Sequence, residues 1–145
     1  MIEAKVEILI DRPVSEVFRR FTDVKLFDQW TDMTGTHLVS GNTLQQGSQV
    51  EATTAMGPLK QALTFEVVNF QENRRFAWKS TSKGPLQFEA DWAFEPQGVS
   101  SARMIYAGRI RLGGVLKLSE GLLAAEIKRT LVKEHQRFKE LVEKS

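Results

Sequence analysis

Residues 86–96, LQFEADWAFEP, alternate apolar with polar except at Ala93. Phe88, Ala90, Trp92 and Phe94 fall on one side of an extended chain, and Gln87, Glu89, Asp91 and Glu95 fall on the other. A strand written this way has an aromatic face to bury and a charged face to leave in water. The same period recurs in ALTFEVV, where Leu63, Phe65 and Val67 oppose Thr64 and Glu66, and in the pairs Phe76 with Trp78 and Met104 with Tyr106. Val6, Ile8 and Ile10 start it near the N-terminus. Further strand-like segments run near 34–40, 47–56, 60–71, 74–82, 85–96 and 101–112. Turn signals separate them at Gly41-Asn42, Gly57-Pro58, Glu72-Asn73, Gly84-Pro85 and Gln97-Gly98. Connections this short make hairpins, so the pattern predicts a meandering antiparallel sheet of about seven strands.

After Gly113-Gly114 the period changes, and one long helix is expected to run to about Glu143. Seven strands at ~4.8 Å spacing span roughly 34 Å, whereas a helix with its side chains is only about 10–12 Å across. The sheet must therefore curl around the helix, and curling leaves space between them near the ends. The segment DRPVSEVFRRFTDVKLFDQW (11–30) supplies a closure. Asp11 is an N-cap candidate with Pro13 in the first turn, and Val14, Val17, Phe18 and Phe21 follow at helical spacing. Asp23 restarts a second short helix through Phe27, ended by Trp30. These two short helices are expected to plug one end of the curl with Phe18, Phe21, Phe27 and Trp30.

Composition narrows the function classes. The 145 residues suit one domain, 1–145, with a real core, and a net charge of +2 is too small for a nucleic-acid footprint. The absence of cysteine excludes disulfides and thiolate metal sites. The opening MIEAKVEILI carries Glu3, Lys5 and Glu7 among its apolar residues, unlike a secretory signal or a membrane span. A cytoplasmic protein without stable membrane insertion is expected. No metal-ligand spacing appears, and LGGVL (112–116) lacks the GK[ST] ending of a phosphate loop, so no metal, cofactor or nucleic-acid partner is expected. The oligomeric state carries no sequence signal.

The order of strand, paired short helices, meander and long helix resembles the START-like (SRPBCC) superfamily, and more narrowly its polyketide cyclase/dehydrase and lipid-transport group. The residues that carry the likeness are Pro13 through Phe18, Asp23, Trp30, Glu66–Val68 followed by Arg74-Arg75-Phe76, and the Gly-Gly before the last helix, within a match covering 2–143. The resemblance implies an α+β helix-grip fold with an apolar cavity between sheet and helix. It implies no particular reaction, because its members include carriers, hormone-binding proteins, cyclases, aromatases and chaperone co-activators.

On the last helix Leu116, Leu123, Ile127, Leu131, Phe138 and Leu141 share one stripe. Glu120 and Glu134 fall inside it, with Thr130 and His135 at its borders. A carboxylate facing a cavity from such a stripe would have a raised pKa and could serve as a general acid or base. The alternative, favoured because charges are almost never buried unpaired, is that Glu134 reaches solvent or an inward arginine. His135 has no ligating partner at helical spacing and reads as structural. Tyr106, the one tyrosine, is either a core residue bonded to backbone or a hydrogen-bonding group in the cavity. The expected cavity residues are Trp30, Phe65, Val67, Phe76, Trp78, Phe88, Ala90, Trp92, Met104, Tyr106, Leu123, Ile127, Leu131 and Glu134. The basic residues Arg103, Arg109 and Arg111, with Lys128, Arg129 and Lys133, read as solvated faces.

Two functions follow. The first is binding, or transport, of a hydrophobic small molecule such as a lipid, polyketide or quinone. The second is a metal-free cyclase or dehydratase in which Glu134, Tyr106 or His135 moves a proton. The sequence favours binding, since paired acid–base groups are absent. A protein-partner module is the weaker third.

Overall fold

The alternating segments form seven strands in the computed structural model, which describes residues 1–56 and 59–145. They are β1 (Ile2–Ile10), β2 (Thr34–Leu38), β3 (Gln49–Met56), β4 (Leu59–Gln71), β5 (Arg75–Ser80), β6 (Leu86–Gln97) and β7 (Ser101–Leu112). The expected turn at Gly57-Pro58 lies outside the described residues. The sheet order is β1-β7-β6-β5-β4-β3-β2, and each neighbouring pair is antiparallel. From β2 to β7 every strand pairs with its neighbour in sequence. Only β1 breaks this rule, pairing with β7 from Ile2↔Ile110 to Ile10↔Ala102.

β1 and β2 are therefore the two edges, and the chain crosses between them through the helical segment that follows β1. Helix α1 (Val14–Phe21) buries Val17, Phe18 and Phe21. A 3-10 turn (Val24–Leu26) leads into the short helix α2 (Phe27–Trp30), which buries Phe27 and Trp30. Asp23 caps the turn by accepting from the Lys25 N–H at 3.1 Å. Asp11 is not the cap of α1. Pro13 holds the capping position, and its carbonyl accepts from Glu16 and Val17. Asp11 is drawn away instead: its N–H donates to the Glu143 carboxylate at 2.8 Å, and its carboxylate accepts from Ser101 at 3.3 Å.

The last helix begins later than the sequence suggests. Gly114–Ser119 form a 3-10 segment, and α3 runs from Glu120 to Glu143. Within the 3-10 segment Leu116 packs inward while Val115 and Leu118 face water, which is too little burial to hold a regular turn. From Ile127 onward the buried face is Ile127, His135, Phe138 and Val142, with Leu123, Leu131 and Leu141 half-buried beside it. Glu120, read as part of this stripe, turns outward to pair with the amino group of Met1. The helix is fastened to the end of β1 as well, where Lys139 donates to the Leu9 carbonyl at 2.7 Å. The result is the helix-grip arrangement expected.

One detail shapes the curl. β5 stops at Ser80, short of its neighbours, and Gln61 on β4 reaches past its end to β6. The Gln61 side chain accepts from the Leu86 N–H at 3.0 Å and donates to the Leu86 carbonyl at 3.1 Å. It supplies the hydrogen bonds that a longer β5 would have made.

Candidate functional site

The plug residues meet the sheet at its closed end, where Phe21 is the hub. Its ring lies 5.3 Å from Phe76, 4.9 Å from Trp92, 5.2 Å from Phe94 and 5.8 Å from Phe138. Beyond this cluster the sheet and α3 diverge and enclose a cavity of about 200 Å³. The sheet contributes Phe65, Trp78, Phe88, Ala90, Trp92 and Tyr106. The helix contributes Leu123, Ile127, Leu131, Glu134 and His135, and the plug contributes Phe27 and Trp30. The flat walls pair closely: Phe65 stacks on Trp78 at 4.3 Å, and Trp92 lies 5.1 Å from Tyr106.

Three expected residues do not line it. Val67, Phe76 and Met104 are fully buried in the closed end instead. Alternation places them on the correct face, but they belong to the packed core, where Phe76 lies 5.3 Å from Phe21 of the plug. The cavity also takes Leu63 and Ile110, which share faces with Phe65 and Tyr106. Thr31, Asp32, Met33, Thr54, Ala55, Glu126 and Thr130 complete it. The exposed members Asp32, Ala55 and Glu126 mark a mouth between the 31–33 loop, the end of β3 and the flank of α3. Nothing in the 31–33 loop signals this role. It is brought there by α2.

Four polar groups define the chemistry. His135, only 1% exposed, uses both ring nitrogens. Its Nδ1 faces the Leu131 carbonyl at 2.7 Å, and its Nε2 receives the Trp92 indole N–H at 3.1 Å. An N–H donor aimed at Nε2 requires that nitrogen to be unprotonated, so the ring is neutral with its proton on Nδ1. Burial lowers its pKa to about 4, against the raising effect of the Leu131 bond. Tyr106, 4% exposed, lies over Gly108, where a Cβ would fall 1.9 Å from the phenol oxygen. Its hydroxyl has no hydrogen-bond partner among the described residues, and burial, with the nearby Glu134 charge, raises its pKa. The Trp30 indole N–H is sealed from solvent and also lacks a partner among the described residues.

Glu134 lies on the cavity wall, beside the 31–33 loop. Part of its surface faces the mouth, yet desolvation raises its pKa to about 7. The charge of Asp32 pushes the same way. The Asp32 N–H, donating to Oε2 at 2.7 Å, and the charge of Arg137 offset part of the rise. Arg137 does not pair with Glu134. Its guanidinium donates to the Asp32 carboxylate at 2.8 Å and to the Trp30 carbonyl at 3.1 Å, closing the loop against α3. His37, the other histidine, lies at the exposed edge against Glu51 at 3.1 Å, away from the cavity. Among the described residues no three His, Asp or Glu side chains converge as metal ligands would, and no helix is long and apolar enough to cross a membrane.

Comparison with known proteins agrees with this architecture. The family described as polyketide cyclase / dehydrase and lipid transport matches residues 1–143. Among solved structures, a protein from Thermus thermophilus superposes with a TM-score of 0.82 at 16% identity, covering 97% of this chain and 96% of that one. The Zhui aromatase/cyclase from Streptomyces sp. R1128 gives 0.79 at 12% identity, over 98% and 93%. A START superfamily protein from Mycobacterium smegmatis gives 0.78 at 13% identity, over 99% of both chains. At these identities the likeness is one of fold. No curated protein matches the sequence.

Proposed function

We propose that this chain, which belongs to the polyketide cyclase/dehydrase and lipid transport family, binds a compact apolar small molecule of one or two rings in the cavity between the sheet and α3. The observation that carries this reading is the wall of that cavity, built from Phe65, Trp78, Phe88, Trp92 and Tyr106 and opened to solvent on one side. Aromatic and aliphatic surface with a few oriented polar groups is the usual make-up of a small-molecule site. Size narrows the occupant. A dry cavity of about 150 Å³ holds benzene. The roughly 200 Å³ here suits a slightly larger ring system.

Native mass spectrometry of protein purified without detergent, before and after solvent extraction, tests the reading, together with titration of naphthalene-sized probes. Leu123→Trp, at the half-buried flank of the mouth, is expected to fold normally and block the probe. A protein that carries no extractable mass and binds none of the probes would refute the reading.

A second reading, proton transfer in a cyclase or dehydratase reaction, is favoured by Glu134 alone. A carboxyl group that titrates near pH 7 inside a ligand cavity is poised as a general acid or base. His135 does not supply the partner, since both its nitrogens are engaged. Turnover of a polyketide-like substrate that is lost in Glu134→Gln, with binding retained, would favour this reading over simple binding.

A further inference from the structure

The charge on the cavity lining is one-sided. Asp32, Glu126 and Glu134 line it, and among the described residues neither a lysine nor an arginine does. This is not a matter of composition, because the chain has 20 basic residues against 18 acidic ones. The three carboxylates also differ in what they are free to do. Asp32 is taken by Arg137 at 2.8 Å. Glu126 stands exposed on the rim. Glu134 receives one backbone N–H on Oε2, and its Oε1 has no donor among the described residues. A second, independent group faces the same space: Tyr106, only 4% exposed, lines the cavity, and its hydroxyl has no protein partner among the described residues.

We propose that the ligand of this cavity carries a basic amine, whose ammonium group donates to Glu134 and the Tyr106 oxygen while its apolar body rests against Trp30, Trp78 and Trp92. The proposal depends on the cavity being a ligand site. Its chemistry is that of a cation held by a carboxylate and aromatic faces, where ring quadrupoles attract the charge and desolvation strengthens the attraction. Both unpartnered groups are oxygens able to accept, and an ammonium offers three N–H donors. An anionic ligand would meet the charge of Glu134, with no lysine or arginine among the described lining residues to hold it. The amine also gives Glu134 Oε1 a donor, which it lacks among the described residues.

The groups facing Glu134 are Asp32 from the 31–33 loop, Glu126, His135 and Arg137 from α3, and Tyr106 from β7. His135 is neutral down to about pH 4 and Asp32 is paired, so Glu134 is the group whose ionisation changes near neutrality. A simple alkyl amine stays protonated to about pH 10. Amine affinity should therefore rise with pH from 5 to 8, and at pH 6 binding should release a proton.

Calorimetric titration with 2-naphthylmethylamine, 2-naphthylmethanol and 2-naphthoate, which share one ring system, decides the matter. The amine is expected to bind at least tenfold more tightly than the alcohol at pH 7.5, and the naphthoate not measurably. Glu134→Gln should remove the amine's advantage over the alcohol, whereas Glu140→Gln, exposed on α3 outside the cavity lining, should keep it. Equal affinities for amine and alcohol, or an advantage that survives Glu134→Gln or vanishes in Glu140→Gln, would overturn the proposal while leaving the cavity a binding site. Failure of all three probes to bind would remove both.

Discussion

Replacing Glu134 by glutamine should stabilise the unliganded protein, and by an amount that depends on pH in a defined way. In the folded state the carboxyl group keeps its proton up to about pH 7, against an ordinary value of 4.5. Below the lower value both folded and unfolded chains are protonated, and the group has no effect on stability. As pH rises from there the unfolded chain ionises freely while the folded one resists, so stability falls until the upper value is passed. That displacement corresponds to about 3 kcal/mol when fully developed. The portion of Glu134 facing the mouth lets water in, which places the expected gain of Glu134→Gln at about 2 kcal/mol by pH 8. For a chain of this size that is a rise in Tm of roughly 4–8 °C. At pH 4 the gain should vanish. His135 complicates the wild type, because its folded pKa of about 4 is depressed from 6.5 and its contribution is lost as pH falls through that range. Between about pH 4.5 and 6.5 the two slopes oppose each other and the wild type should look flat, whereas Glu134→Gln should gain stability steadily over the same range. Urea unfolding followed by tryptophan fluorescence at four pH values from 4 to 8 measures this. A difference between variant and wild type that stays constant with pH would show that burial of Glu134 is not the cause.

Other expectations concern the walls. Gly108→Ala places a Cβ 1.9 Å from the Tyr106 hydroxyl, so the ring must leave its bed. A loss of about 1–3 kcal/mol with altered probe binding is expected by thermal melting and titration, and unchanged values would show that Tyr106 does not lie on Gly108. His135→Leu strips the acceptor from the buried Trp92 N–H and should destabilise by about 1–3 kcal/mol. Adding Trp92→Phe should then cost less than it does in the wild type, and strict additivity in that double-mutant cycle would deny the bond. Leu118→Ser and Leu122→Ser, at residues 90% and 84% exposed, should leave the unfolding midpoint within about 0.5 kcal/mol. A larger loss would mean that these side chains are covered in solution.

The sheet was largely legible because its large inner residues recur at every second position. β6 and β7 could be read almost to the residue, since their burial follows the written period. The plug was legible for the same reason, with Phe18, Phe21, Phe27 and Trp30 all buried as their spacing suggests. Alternation, however, states which face a side chain occupies and not how far along the curl it lies. Val67, Phe76 and Met104 are therefore indistinguishable in sequence from Phe65, Trp78 and Tyr106, and only the packing of the closed end separates them. The cap of α1 misled for a different reason. Asp11 has the right chemistry, but its backbone N–H and side chain are claimed by Glu143 and Ser101, partners 132 and 90 residues away. Glu134 was ambiguous because its environment depends on whether Arg137 turns to it or to Asp32, a choice made by the position of the 31–33 loop.

The placement of β1 and β2 at opposite edges sets an order of assembly. Every pairing from β2 to β7 joins neighbours in sequence and can form as soon as its hairpin exists. The pairing of Ile10 with Ala102 must instead close a loop of about ninety residues, at an entropic cost of about 4 kcal/mol. During synthesis from the ribosome β1 thus emerges first and finds its partner last. Through that interval Ile2, Ile8 and Ile10 are an unpaired strand able to join the wrong edge, and Glu3, Lys5 and Glu7 between them act as the charged guards that keep it from doing so.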